Sequence, residues 1–213
     1  MDLAVRHPDI NFIANDLHRI DAQDFDHYLR RIEVRYRPKN LTFATGMHAA
    51  EAVSKEAPNS LDHVYAHFLL KNMPRAEREE LYTELQRAMR PRAQLKIVEN
   101  KHYEKPRLRE LAAHGFGVTS RPATTKEAMK LGTESAEAQA KQWAYIKATE
   151  NKKLIMDKLF TPWWERVRKK LAENGETPET IELIHKEAEH NFLSHDPPFV
   201  VITATKARER KTQ

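Results

Sequence analysis

Cysteine is absent from all 213 residues. That excludes disulfides, thiolate metal sites and cysteine nucleophiles, and it suits a reducing cytoplasm. Long apolar runs are also missing. None approaches the roughly 18 residues of a membrane-spanning helix, and Met1-Asp2 does not begin a signal peptide. A soluble, cytoplasmic protein with no membrane partner is therefore expected. Glycine is scarce, with five residues and none before Gly46. Nothing recurs at a fixed period, which argues against a repeat architecture. Eleven histidines are present, but no His-Glu-x-x-His spacing occurs. His63 and His67 lie i, i+4 in an expected strand, and His185 and His190 lie i, i+5 on an expected helix, about 140° apart. No metal centre is expected.

What is present is ordinary for a globular chain: 31% charged and 40% hydrophobic residues. The length suits one core with an elaboration. Lys and Arg exceed Asp and Glu by 36 to 31, a formal charge of +5. This mild excess permits contact with nucleic acid or another polyanion without requiring it.

The chain alternates short apolar strands with amphipathic helices. Asp2 to His7 reads as the end of a helix closed by Pro8. The run Ile10-Asn11-Phe12-Ile13-Ala14-Asn15-Asp16 is a strand that ends in an acid. A helix with Phe25, Tyr28, Leu29 and Ile32 at helical spacing follows, stopped by Pro38. Leu41 to Thr45 is a second strand, Ala49 to Glu56 a helix and Leu61 to Phe68 a third strand. Leu81, Leu85 and Met89 mark a helix over Arg75 to Arg90, stopped by Pro91. Strands over Ala93 to Glu99 and Phe116 to Ser120 flank a helix at Leu108 to His114. Two or three helices fill Thr124 to Phe192, with breaks at Thr161-Pro162 and Asn174-Gly175 and a restart at Thr177-Pro178-Glu179. Phe199 to Thr205 is the last strand, before a basic tail. This alternation predicts an α/β fold, a mainly parallel sheet with helices on both faces.

The order of these pieces resembles the class I S-adenosylmethionine-dependent methyltransferases. The likeness covers roughly residues 1–120 and 197–206. It implies a Rossmann-like fold with an antiparallel last strand. The core would be residues 1–123 and 197–206, with a helical insertion over 124–196 and a tail over 207–213. It also implies S-adenosylmethionine as cofactor. Asp16 would match the family's ribose-binding acid. Thr45-Gly46-Met47-His48 would match its adenine loop, with Met47 and His48 flanking the ring. Ala66-His67-Phe68 would match the active-site floor, with Phe68 beside the cofactor and His67 toward the acceptor as catalytic residue.

Three departures accompany these matches. The family's first strand and glycine-rich loop have no counterpart, and that loop is where the backbone approaches the cofactor most closely. No acid occurs in Gly46-Met47-His48. The turn before the fifth strand, commonly Pro-Gly-Gly, is Pro91-Arg92-Ala93.

Each residue has a plainer reading too. Asp16 could serve only to start a helix, Met47 and His48 could form an ordinary loop, and Glu99-Asn100-Lys101-His102 could be solvated. Trp143, Tyr145, Phe160, Trp163 and Trp164, interleaved with Lys147, Lys152, Lys153, Arg166, Arg168, Lys169 and Lys170, could stack bases and hold phosphates. Alternatively they form the insertion's own core. The expected activity is methyl transfer to an acceptor among small molecules, proteins and RNA. A non-catalytic binding or assembly protein and an NAD-dependent α/β enzyme are the rivals. The missing central strand would leave sheet edges that a second copy of the chain could cover as a homodimer.

Overall fold

The computed structural model describes residues 9–16, 39–124, 152–194 and 199–207. The helices expected over Asp2 to His7 and Ala22 to Tyr36 lie outside them. So do Trp143, Tyr145, Lys147 and the tail beyond Ala207. The chain forms two compact units, Met1–Ala57 and Pro58–Gln213.

The first unit contains strands β1 (Phe12–Asp16) and β2 (Leu41–Thr45), paired in parallel with Asp16 opposite Thr45. The segment before β1 is pinned to the one before β2. The Phe12 N–H donates to the Asn40 carbonyl at 2.7 Å, and the Asn40 amide donates to the Ile10 carbonyl at 2.7 Å. Helix α1 (Ala49–Ser54) buries Ala50 and Ala52, and Ala52 N–H closes its first turn on the His48 carbonyl.

The second unit is built on β3 (Leu61–His67), β4 (Met89–Asn100), β5 (Phe116–Pro122) and β6 (Phe199–Lys206). Their order is β3-β4-β6-β5. β3 is parallel to β4, while β6 is antiparallel to both β4 and β5. Three strands therefore run one way, and the last strand is inserted between two of them in the opposite sense. Period-2 patterning sets the core. Ala93, Leu95, Ile97 and Glu99 are buried along β4, while Gln94, Lys96, Val98 and Asn100 are half-buried. β6 lies between two neighbours and buries Phe199 to Ile202 and Ala204, as its run of Phe199, Val200, Val201 and Ile202 predicts.

Helix α2 (Arg75–Ala88) packs Leu81, Tyr82, Leu85 and Ala88 inward, and α3 (Glu104–Ala113) packs Leu111 inward. α2 is two residues shorter than its apolar pattern predicts. Met89, fully buried, already opens β4, and the strand absorbs Arg90, Pro91 and Arg92 as an irregularity opposite Leu61 to His63. Proline lacks an N–H to donate, but at an irregular strand start it breaks no ladder bond.

The later helices are α4 (Lys152–Ile155), a π-helix (Met156–Phe160), α5 (Thr161–Glu173) and α6 (Pro178–Leu193). The break expected at Thr161-Pro162 is instead a change of winding from π to α. Pro162 is the second residue of α5, directly after the π winding. Asn174 and Gly175 do end α5, with Gly175 at φ 76°. Thr177 caps α6, its Oγ1 accepting from the Thr180 N–H at 3.2 Å.

Candidate functional site at the carboxyl ends of the strands

In the first unit the parallel register places Asp16 and the segment after Thr45 at one edge. Gly46 turns the chain there with φ 73°, a conformation that penalises a side chain. Asn15 ties the turn down. Its amide donates to the Ala44 carbonyl at 2.8 Å and to the Met47 carbonyl at 3.2 Å. Met47 is half-buried, with Lys55 Nζ 3.4 Å from its sulfur, and Gly46 and His48 are exposed. One strand-end acid, a glycine turn, a thioether and an imidazole thus share one edge. Asn15, which organises them, is the residue sequence reasoning missed. Its place just before the acid is the only signal it gave.

In the second unit β3 and β4 end at a common edge, where His67 aligns with Val98 and Asn100 with Phe199. His67 closes β3. The next residue, Phe68, has φ 49°, strained for a bulky side chain. Its N–H still reaches the Val98 carbonyl at 2.9 Å, and its carbonyl accepts from the Asn72 amide at 3.1 Å. The ring meets His67 edge-on at 4.5 Å and Phe199 at 5.4 Å. It packs on Ala123, Phe199 and Val201. Strained residues of this kind concentrate at functional sites, where the surroundings hold them. The structure thus gathers the expected residues into two sets: Asp16, Gly46, Met47 and His48 in one unit, His67 and Phe68 in the other.

A short 3-10 turn, Leu70–Asn72, follows Phe68. Lys71 Nζ lies 4.5 Å from the centre of the Phe68 ring and 3.3 Å from Asn100 Oδ1. Burial lowers the Lys71 pKa, Glu99 raises it and Lys170 lowers it, for a net decrease. Glu99 is fully buried rather than solvated. Its carboxylate accepts from the Lys71 N–H at 3.1 Å and the Asn100 N–H at 3.0 Å, yet burial still drives its pKa up against Arg107, Lys71 and those bonds. His102 is buried as well, and burial, with Lys71 and Arg107 beyond it, depresses its pKa to about 3.

Behind this edge lies a layer of buried charge. Arg78 donates to the Met73 carbonyl at 2.7 Å, to both Glu110 oxygens and to Glu176. Arg107 donates to Glu110 at 2.6 Å and stands over the Tyr103 ring. Both guanidinium groups are essentially inaccessible. Burial opposes charge on Glu110, but Arg107 and Arg78 hold its pKa below the ordinary value. The one-dimensional clue was an arginine on an apolar stripe: Arg78 precedes Leu81, Tyr82 and Leu85 by three, four and seven positions.

The aromatic residues of the helical segment form a core. Phe160, Ile155, Ala188 and Phe192 pack together with Trp163 and Trp164 against them. Trp164 stacks on His185, and Trp163 meets His102 edge-on at 5.3 Å. Leu171 and Ile184 pack on Tyr103. The described rings are therefore engaged with one another and not arrayed as a stacking platform. The basic residues Arg166, Arg168, Lys169 and Lys170 of α5 are exposed.

Neither a protein-family model nor a curated protein matches this sequence. Solved structures do resemble it. The 4+2 cyclase SpnF superposes with a TM-score of 0.50 at 14% identity, over 96% of this chain and 70% of its own. Geranyl diphosphate C-methyltransferase from Streptomyces coelicolor, in complex with S-adenosyl-L-homocysteine, gives 0.48 at 9% identity, over 96% and 67%. An S-adenosylmethionine-dependent methyltransferase from Archaeoglobus fulgidus gives 0.45 at 12%, over 96% and 93%. At such identities the likeness is one of fold. The inserted antiparallel strand and the likeness to SpnF define the class: a Rossmann-like α/β protein that shares the fold of that structure. Among the described residues no helix is long and apolar enough to cross a membrane.

Proposed function

We propose that this protein binds S-adenosylmethionine and directs its methyl group to a nucleophile on an acceptor molecule. The observation that carries this reading is the edge of the first unit, where an acid-terminated strand lies in register beside a glycine turn held by Asn15. Those residues suit the adenosine half of the cofactor. Asp16 would accept from the ribose hydroxyls, and Met47 and His48 would flank the adenine. When bound, the cofactor supplies an electrophilic methyl on sulfur. In the second unit, taken by itself, His67 would hold or accept a proton from an acceptor, and Phe68 would give that acceptor an apolar surface. RNA, protein and small molecules all stand as acceptors, RNA through the exposed basic residues of α5. Action in the cytoplasm and pairing of two copies complete the proposal.

A second reading has its own observation. The turn Gly46-Met47-His48, which would meet the adenine, carries no acid, so one anchor expected for the adenosine half is lacking. On that reading the protein keeps the fold as a binding or assembly module without turnover. Calorimetric titration separates the two. Saturable binding of S-adenosylmethionine is expected, weakened about 10- to 150-fold in Asp16→Ala, the scale of a charge-assisted hydrogen bond of roughly 1.5–3 kcal/mol. Equal affinity in the variant removes Asp16 from the site. Absence of binding in the intact chain favours the assembly reading.

A further inference from the structure

Two lysines from distant parts of the chain approach the edge beside Phe68, one meeting Asn100 and the other Asn72, and Glu99 acts on Lys71 from a distance without a salt bridge. Lys71 Nζ meets the side-chain oxygen of Asn100, and Lys170 Nζ of α5 meets that of Asn72 at 3.0 Å. Among the described residues no carboxylate forms a salt bridge with either ammonium. Asn72 and Lys71 are neighbours in one turn, so the two ammonium groups act on each other, and Lys170 is a cause of the lowered Lys71 pKa. Glu99 lies beneath, but its oxygens are directed to the Lys71 and Asn100 N–H groups, and burial disfavours its charge. Arg107 and the neutral His102 add no negative charge.

Like charges brought near each other cost free energy unless something offsets them, and Glu99 offsets only part of what burial and the exposed Lys170 do to Lys71. Amide oxygens are weak compensation, whereas carboxylates serve this purpose elsewhere in the same unit, as at Arg78 and Arg107. Next to the lysines lies the flat, partly exposed ring of Phe68, with His67 edge-on to it. The edge therefore offers the Lys71 ammonium over an apolar floor, with the Lys170 ammonium at the adjoining turn.

We propose that Lys71 and Lys170 form an anion-binding subsite for the methyl acceptor, a small molecule that carries a phosphate or carboxylate group. This rests on the methyltransferase reading for the word acceptor, but the subsite itself does not. The anion would displace Asn100 and Asn72 as partners of the two ammonium groups, leaving the uncharged part of the molecule over Phe68 and toward His67. It also gives the helical segment a defined task, since Lys170 is its contribution to the edge.

The test is an NMR titration of the intact protein with inorganic phosphate and, separately, acetate, following the backbone amides of Phe68, Lys71 and Asn72. Saturable shifts of these amides are expected. The anion that binds more tightly identifies phosphate or carboxylate as the preferred group. Lys71→Met and Lys170→Met, which keep an unbranched apolar stem, should each weaken binding at least tenfold. Lys71→Arg should retain most of it. Lys169→Met, one position away on α5, should leave it unchanged. Thermal melts of each variant separate loss of binding from loss of folding. Equal affinity in both Met variants, or shifts scattered over the basic surface, would overturn the proposal. So would shifts of these amides by a short single-stranded RNA but by neither small anion. Calorimetry with S-adenosylmethionine on the same samples keeps the two readings apart. Phosphate or acetate binding without cofactor binding sustains the subsite and defeats methyl transfer, and the converse defeats the subsite alone.

Discussion

His102 shows how much a single buried side chain governs. It lies against Tyr103 and Trp163 and is almost inaccessible, so its imidazole stays neutral down to about pH 3. An unfolded chain binds that proton near pH 6.5. Between these values the unfolded state holds one proton more than the folded state, and stability falls as pH falls. Glu99 acts in the opposite direction, because its raised pKa means that the folded state takes up a proton before the unfolded one does. A comparison with His102→Phe, which keeps an aromatic ring but cannot titrate, isolates the histidine. The stability of the wild type relative to this variant should drop by about 1.7 kcal/mol between pH 6.5 and pH 5, the slope approaching roughly 1.36 kcal/mol per unit below the unfolded pKa. Urea unfolding at the two pH values measures it. Parallel pH profiles for the two proteins would mean that water reaches His102.

At the scale of elements, strands and helices were legible wherever periodicity and a stop residue agreed. The strand run ending at Asp16, the Asn174-Gly175 turn and the Thr177 cap are of this kind. The junction of α2 and β4 was not, because no turn residue separates them. The helical stripe simply continues through Met89, whose burial in β4 satisfies the same apolar requirement. The irregularity that follows explains the odd Pro91-Arg92-Ala93. Arg92 has φ 72°, so an exposed arginine occupies a conformation that favours glycine, the residue common at this turn in the methyltransferases. A non-glycine residue there costs about 1–2 kcal/mol, while the extra unfolded-state freedom of glycine returns roughly 0.5–1 kcal/mol. Arg92→Gly should therefore stabilise the protein by about 0.5–1 kcal/mol. A shift of the urea midpoint to higher concentration, with unchanged slope, is the expected reading. A destabilised variant would mean that the arginine side chain contributes more than the strain removes.

At the scale of the whole molecule, the parts of the candidate site nearest in sequence were the readable ones. Asp16 ends its own strand, and Gly46 follows its own strand. The parts joined only by folding were hidden. Arg78 and Glu176 are 98 positions apart, as are Asn72 and Lys170, and no spacing rule links them. These pairs change what the helical segment is expected to do. A segment that served recognition alone would be replaceable by a linker without loss of the core. The structure argues otherwise within Pro58–Gln213. The segment supplies Glu176 to two buried arginines, Leu171 and Ile184 to the cover over Tyr103, and the Asn174 carbonyl to the Arg75 N–H at 2.8 Å. Leaving one buried charge without its partner costs about 3–5 kcal/mol, against a total stability of roughly 5–15 kcal/mol for a domain. Loss of the apolar cover adds to that. Replacing residues 152–193 with a short flexible linker should therefore abolish cooperative unfolding of the four-stranded sheet. Circular dichroism should report loss of its structure, and hydrogen exchange should report lost protection along β4 and β6, the strands at its centre. Native-like protection of those two strands in the shortened chain would show that the sheet holds its arginines without Glu176 and that the segment serves recognition alone.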